Sequence, residues 1–137
     1  MITVFALLLR ISGLSQKEAA AFLDLSPSSV DKFSRGVMQP KPGVLRELRD
    51  LVDKQVTAAD QALSQIDELV DRHGAPPEIV LGYPADPHEA EQLGFSAVGA
   101  WWGMAAHIVA QTDIPVRFVP RGSDPATAMA LDAHDID

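Results

Sequence analysis

The residues best suited to chemistry lie between Leu14 and Pro40, in the run LSQKEAAAFLDLSPSSVDKFSRGVMQP. Ser15 and Glu18 have the S-x-x-E spacing of a capping box, in which each side chain satisfies a backbone amide at a helix start. Ser26 before Pro27 is a second start signal. The hydroxyl caps, and proline in the first turn lacks only an N–H that would have no partner. The helix opened by Ser15 carries Ala19, Ala20, Phe22 and Leu23 and ends near Asp24. The helix opened by Ser26 turns Val30 and Phe33 to one side, leaves Ser28, Lys32 and Arg35 off that stripe, and stops at Gly36. Two short helices joined by a tight turn, the second with a polar outer face, can read base edges in the major groove of DNA. Asp31 is awkward on such a face. A carboxylate there can accept from a cytosine amine, but a solvated or capping role is favoured.

Other chemistries lack their residues. There is no cysteine, which excludes a disulfide, a thiolate zinc site and a cysteine nucleophile. His73, His88, His107 and His134 are irregularly spaced, without H-x-x-x-H, so no metal site is expected. His88 with Glu89 and Glu91 reads as a solvated loop. No phosphate-binding glycine loop, G-x-S-x-G or carboxylate pair with a nucleophile is present. The chain is therefore expected not to be an enzyme and to need no cofactor.

The elements that must position the Leu14–Pro40 run can be read around it. A first helix spans about Thr3–Ser12, with Gly13 as its stop. After Gln39-Pro40-Lys41-Pro42-Gly43, a short rigid linker, a long helix runs from about Val44 to His73. Its apolar stripe is Leu45, Leu48, Val52, Val56, Ala59, Leu63, Ile66 and Val70, with a coiled-coil-like rhythm. The stripe thins to alanine near Thr57, where a break would fall. Gly74 and Pro76-Pro77 end the helix. Glu78–Tyr83 reads as a strand, Pro84–Leu93 as an acidic loop with one helical turn, and Ala97–Gln111 as a helix capped by Ser96. Ile114–Val119 reads as a second strand, and Arg121–Asp137 as an acidic mobile tail. Gly99 and Gly103 form a G-x-x-x-G that permits close approach to the last of these helices. Trp101 and Trp102 cannot share one helix face. One belongs in the core and the other is free for a subunit interface.

Charge divides the chain. Residues 1–49 hold seven basic side chains and four acids, a sum of +3, and residues 50–137 hold four basic and fifteen acidic, a sum of −11. The whole is −8, which taken alone argues against nucleic acid. The asymmetry argues instead for two modules with different partners. The apolar run MITVFALLL has no basic residue before it and no small-residue cleavage site after it, so no signal peptide is expected. It is also far short of the roughly 20 residues that cross a bilayer. A cytoplasmic protein is expected.

Through Leu14, Gln16, Glu18, Ala20, Leu25, Ser26, Val30, Phe33, Gly36 and Pro40 the chain resembles the Xre/Cro-like helix-turn-helix family, without a gap over Leu14–Pro40. Two positions depart from the pattern: Asp24 stands where glycine is usual, and Ser34 where an acid is frequent. The resemblance implies base contacts from Pro27, Ser28 and Lys32, and phosphate contacts from Gln16, Ser29 and Arg35. The element order also resembles the anti-CRISPR-associated repressors of phages and mobile elements. That layout implies a mainly α chain of four units. Residues 1–43 form a helix-turn-helix DNA-binding domain, 44–75 a linking and dimerisation helix, 76–120 a strand-helix-strand dimerisation domain, and 121–137 the tail. The expected dimer interface draws on Leu63, Ile66, Val70, Trp101 and Trp102. The expected function is that of a homodimeric repressor on a palindromic operator in double-stranded DNA. An antitoxin-like module, whose acidic half sequesters a protein, is the alternative. A regulator that senses a small molecule near Trp101 and Tyr83 is a third reading.

Overall fold

In the computed structural model, residues 2–122 and the pair Ala130–Leu131 are described. The chain is mainly helical, with a small parallel sheet. Helix α1 (Val4–Ser12) starts at Thr3, whose hydroxyl accepts from the Ala6 N–H at 3.0 Å, and ends at Gly13, with φ of 78°. Helices α2 (Gln16–Leu23) and α3 (Pro27–Arg35) begin and end where their caps predict. Helix α4 (Pro42–His73) follows, and Pro42 is already its first residue, so the linker is shorter than expected.

Helix α4 is unbroken for 32 residues, about 48 Å. The alanines near Thr57 do not mark a break. Ala59 and Ala62 are fully buried, and alanine is both a strong helix former and small enough for close packing. The helix is also rotated from the expected seam. Leu48, Leu51, Gln55, Ala59, Ala62 and Ile66 point inward, whereas Leu45, Val52, Leu63 and Val70 are only half-buried and Val56 is exposed. Gln55 sets this rotation, because its amide has an obligation inside the molecule, described below.

Strand β1 (Ile79–Tyr83), the short helix α5 (Pro87–Gln92), helix α6 (Val98–Gln111) and strand β2 (Val116–Pro120) form a β-α-β unit. Ile79 pairs with Val116 and Tyr83 with Pro120, in parallel. Strand β3 (Ala130–Leu131) pairs in parallel on the other side of β1, giving the order β2-β1-β3. The segment expected as a mobile tail thus contributes a strand, and the Arg121 N–H donates to the Tyr83 carbonyl at 3.0 Å. Residues 123–129 and 132–137 of that expected tail lie outside the described residues.

One apolar core runs across the expected boundaries, from Phe5 and Phe33 through Leu48 to Trp101, Met104 and Ile108. The junction is at the α1–α2 turn, where Ser12 and Gly13 lie directly on Gly99 and Gly103. A Cβ on Gly99 would strike the Gly13 carbonyl, and one on Gly103 would strike the Ser12 carbonyl and sit 2.6 Å from Gln55 Nε2. The G-x-x-x-G therefore does permit close approach, but of a turn rather than a second helix. Gln55, fully buried, donates through Nε2 to the Ser12 carbonyl at 2.7 Å and the Ala100 carbonyl at 2.9 Å.

Two stability outcomes follow from this junction. Gly103→Ala forces a methyl group against backbone that cannot yield, and should cost about 1–3 kcal/mol in urea unfolding. Gln55→Leu removes the side-chain donor to the Ser12 carbonyl and the second donor to the Ala100 carbonyl, which keeps its bond within α6, and should cost about 1–3 kcal/mol, although leucine fills similar space. Wild-type midpoints for both variants would show that the junction contributes nothing.

Candidate nucleic-acid interface

The α2–α3 pair is built by three local devices. Ser15 and Glu18 complete their capping box: the Ser15 hydroxyl accepts from the Glu18 N–H and Glu18 Oε1 accepts from the Ser15 N–H, both at 3.0 Å. Asp24 then turns the chain at φ 54° and ψ 50°, the left-handed region. Aspartate tolerates this conformation better than most residues, which is how the turn survives without the usual glycine. Ser26 caps α3 by accepting from the Ser29 N–H at 3.1 Å, and the two hydroxyls lie 3.0 Å apart.

Val30 and Phe33 anchor the inner side of α3, and the Phe33 ring packs edge-on against Phe5 at 5.5 Å between centroids. The outer side is left to solvent. Pro27, Ser28, Lys32 and Arg35 are exposed, as is Gln16 on α2, while Ser29 is half-buried beside its cap. The six residues expected to contact DNA therefore lie on one helix pair, and all but Pro27 carry polar side-chain atoms. Asp31 and Arg35 are not independent of each other. Arg35 Nε donates to Asp31 Oδ2 at 2.9 Å, and Nη2 lies 2.9 Å from the same oxygen. Asp31 thus remains solvated and tethers Arg35 through one carboxylate oxygen, an exposed pair worth about 0.3–0.5 kcal/mol. Exposed Arg10 on α1, Lys17 on α2, and Lys41, Arg46 and Arg49 at the start of α4 complete the basic segment; the charge count alone pointed to them.

Two polar contacts without a local sequence signal add to the Phe5–Phe33 packing in tying this pair to the rest. Glu18 Oε2 accepts from the Gly99 N–H at 2.9 Å, so one carboxylate caps α2 and α6 together. Ser96 was expected in that role; instead α6 starts from Ala97 with no side-chain cap of its own. Thr3 caps α1 and donates to the Ser34 carbonyl at 3.0 Å, binding α1 to the end of α3.

The residues expected at a dimer interface separate. Ile66 and Trp101 are buried within the chain, at 4% and 1% exposure, and offer nothing to a partner. Their neighbours explain this, since Ile66 lies on the inward stripe of α4 and Trp101 under Phe118. Leu63 and Val70 are half-buried, and Trp102 keeps an exposed edge while packing on Tyr83 and Phe118 at 5.3 and 4.9 Å. The space near Trp101 and Tyr83 considered for a small molecule holds this ring cluster. Among the described residues, no group of three or more histidine or acidic side chains could hold a metal, and no helix is long and apolar enough to cross a membrane.

The turn gives a clear outcome for substitution. Asp24→Val places a β-branched residue at positive φ and should lower stability by about 1–2 kcal/mol, while Asp24→Gly should hold or raise it. Thermal melts of both variants check this, and equal melting temperatures for valine and glycine would refute the strain.

No protein-family model and no curated protein matches the chain, so the reading of this face rests on its own residues and geometry.

Proposed function

We propose that the protein is a homodimeric, sequence-specific DNA-binding regulator that represses by occupying an operator through the major groove. The observation that carries this reading is the outer face of α3. It exposes Pro27, Ser28, Lys32 and Arg35 on a short, doubly capped helix within the +3 segment of a −8 chain. The Ser29 hydroxyl and the positive end of the α3 dipole suit phosphate, and the Ser28 hydroxyl and, one turn further, Lys32 suit base edges. The fifteen acids of residues 50–137 would be repelled by phosphate, which favours docking by the N-terminal end. One short helix reads few base pairs, so specificity calls for two subunits on half-sites about 34 Å apart.

Selection of random duplexes on the purified protein tests the reading. On the selected site, Lys32→Ala should cost about 1–3 kcal/mol and relax preference at one position. Asp31→Asn should act in the opposite sense. It frees Arg35 and removes a negative charge from the face, so binding to all duplexes should tighten and the salt dependence steepen. Failure to enrich any duplex, with folded protein, would refute the proposal.

A further inference from the structure

We infer that the outer face of α1 is the surface on which a second copy of the chain docks; the inference deepens the dimer invoked above and rests on that DNA-binding reading for its geometry. The face is made by Val4, Leu7 and Ile11, at helical spacing, and by Ile2 just before the helix. Each is about half exposed or more, at 55%, 52%, 49% and 59%. Exposed apolar residues scattered singly need no explanation, but a row along one helix marks an interaction surface. The row runs into a hollow of about 380 Å³ lined by Val4, Phe33, Met38 and Leu45, whose Met38 rim is also exposed.

Three considerations favour a second copy as the occupant. The first is charge. Two copies at −8 each repel, least where acids are absent, and residues 1–14 hold one charged side chain, Arg10. The second is position. Helix α1 packs directly on α3 through Phe5–Phe33 and Thr3–Ser34. A two-fold contact of α1 with its counterpart would separate the α3 axes by at most three helix-packing distances in the plane across the helices, about 24–30 Å, to which an offset along the helices adds. That is in the range of the roughly 34 Å between half-sites. The apolar outer face of α6, with Trp102 and Val109, is one helix further removed: α6 packs on α1 and α4, and α3 on α1 and α2.

The third consideration weighs against the β2 edge of the sheet as a route. The Ile79 N–H donates to the Pro115 carbonyl and the Arg121 N–H to the Tyr83 carbonyl, so Arg117 and Val119 face β1. Val116, Phe118 and Pro120 therefore face outward. Proline has no N–H, which leaves two outward donors on this edge, too few to template a further strand well.

The chain has no cysteine, so single cysteines report contacts cleanly. Leu7→Cys should cross-link to a covalent dimer under mild oxidation, because residues near a two-fold axis meet themselves. Val109→Cys on α6 should not. In sedimentation at micromolar concentration the wild type should run at twice 14.7 kDa, and the double variant Leu7→Glu/Ile11→Glu at 14.7 kDa with unchanged circular dichroism. A monomeric wild type, a double variant that stays dimeric, or cross-linking at 109 instead of 7 would overturn the inference. If the double variant does not fold, the cysteine pair decides. Duplexes with one and two half-sites keep the two readings apart. The monomeric variant should lose affinity only for the two-site duplex. Absence of any duplex binding alongside the expected cross-link would refute the DNA reading and still support this surface.

Discussion

Backbone meets backbone at one place on which the rest of this molecule depends. Ser12 and Gly13, at the end of α1, rest on Gly99 and Gly103 of α6 with no side chain between them. Contact this close needs glycine on both partners, and it exposes carbonyl groups to a dry interior, where an unpaired one is costly. Gln55 answers that cost from the middle of α4 by donating to the Ser12 and Ala100 carbonyls. Glu18 completes the joint by capping α6 from α2. Three helices and a turn are thereby fixed against one another by a few polar atoms. The aromatic and aliphatic core then closes around them.

The joint explains how a chain of two opposed charges behaves as one body. The +3 segment and the described part of the acidic segment share one continuous core. A rigid separation of charge aligns a protein in the field of a polyanion before any contact forms.

Features set by neighbours in the chain were legible in the sequence. Caps at Ser15, Ser26, Gly13 and Gly36 fixed three helices, because each cap acts on amides or carbonyls within one turn. The strand pair and α6 were legible from composition and the turns around them. The rotation of α4 was not. An apolar count favours Val56 over Gln55 at the inward position, and only carbonyls contributed by Ser12 and Ala100, over forty residues away in each direction, reverse that choice. The cap of α6 escaped for the same reason: it is Glu18, 81 positions before the Gly99 N–H from which it accepts. Burial of Trp101 and Ile66 depended on which of two adjacent helix faces met the sheet and α6. Of the candidate site, the six residues were legible as a group on one helix pair. The tether between Asp31 and Arg35 was open to i,i+4 spacing and was not drawn from it.

The unbroken course of α4 has a mechanical consequence. A helix of about 48 Å acts as a beam, and a tilt of about 5° around its centre moves each end by about 2 Å. Its first turns adjoin α1 and the hollow beside α3, and its middle carries Gln55. Lys54, one residue before that fulcrum, donates to the Gly94 carbonyl and lies over the Phe95 ring at 5.1 Å. A displacement of the loop before α6 is therefore passed to the middle of α4, and through that unbroken helix to the first turns that line the hollow beside α3.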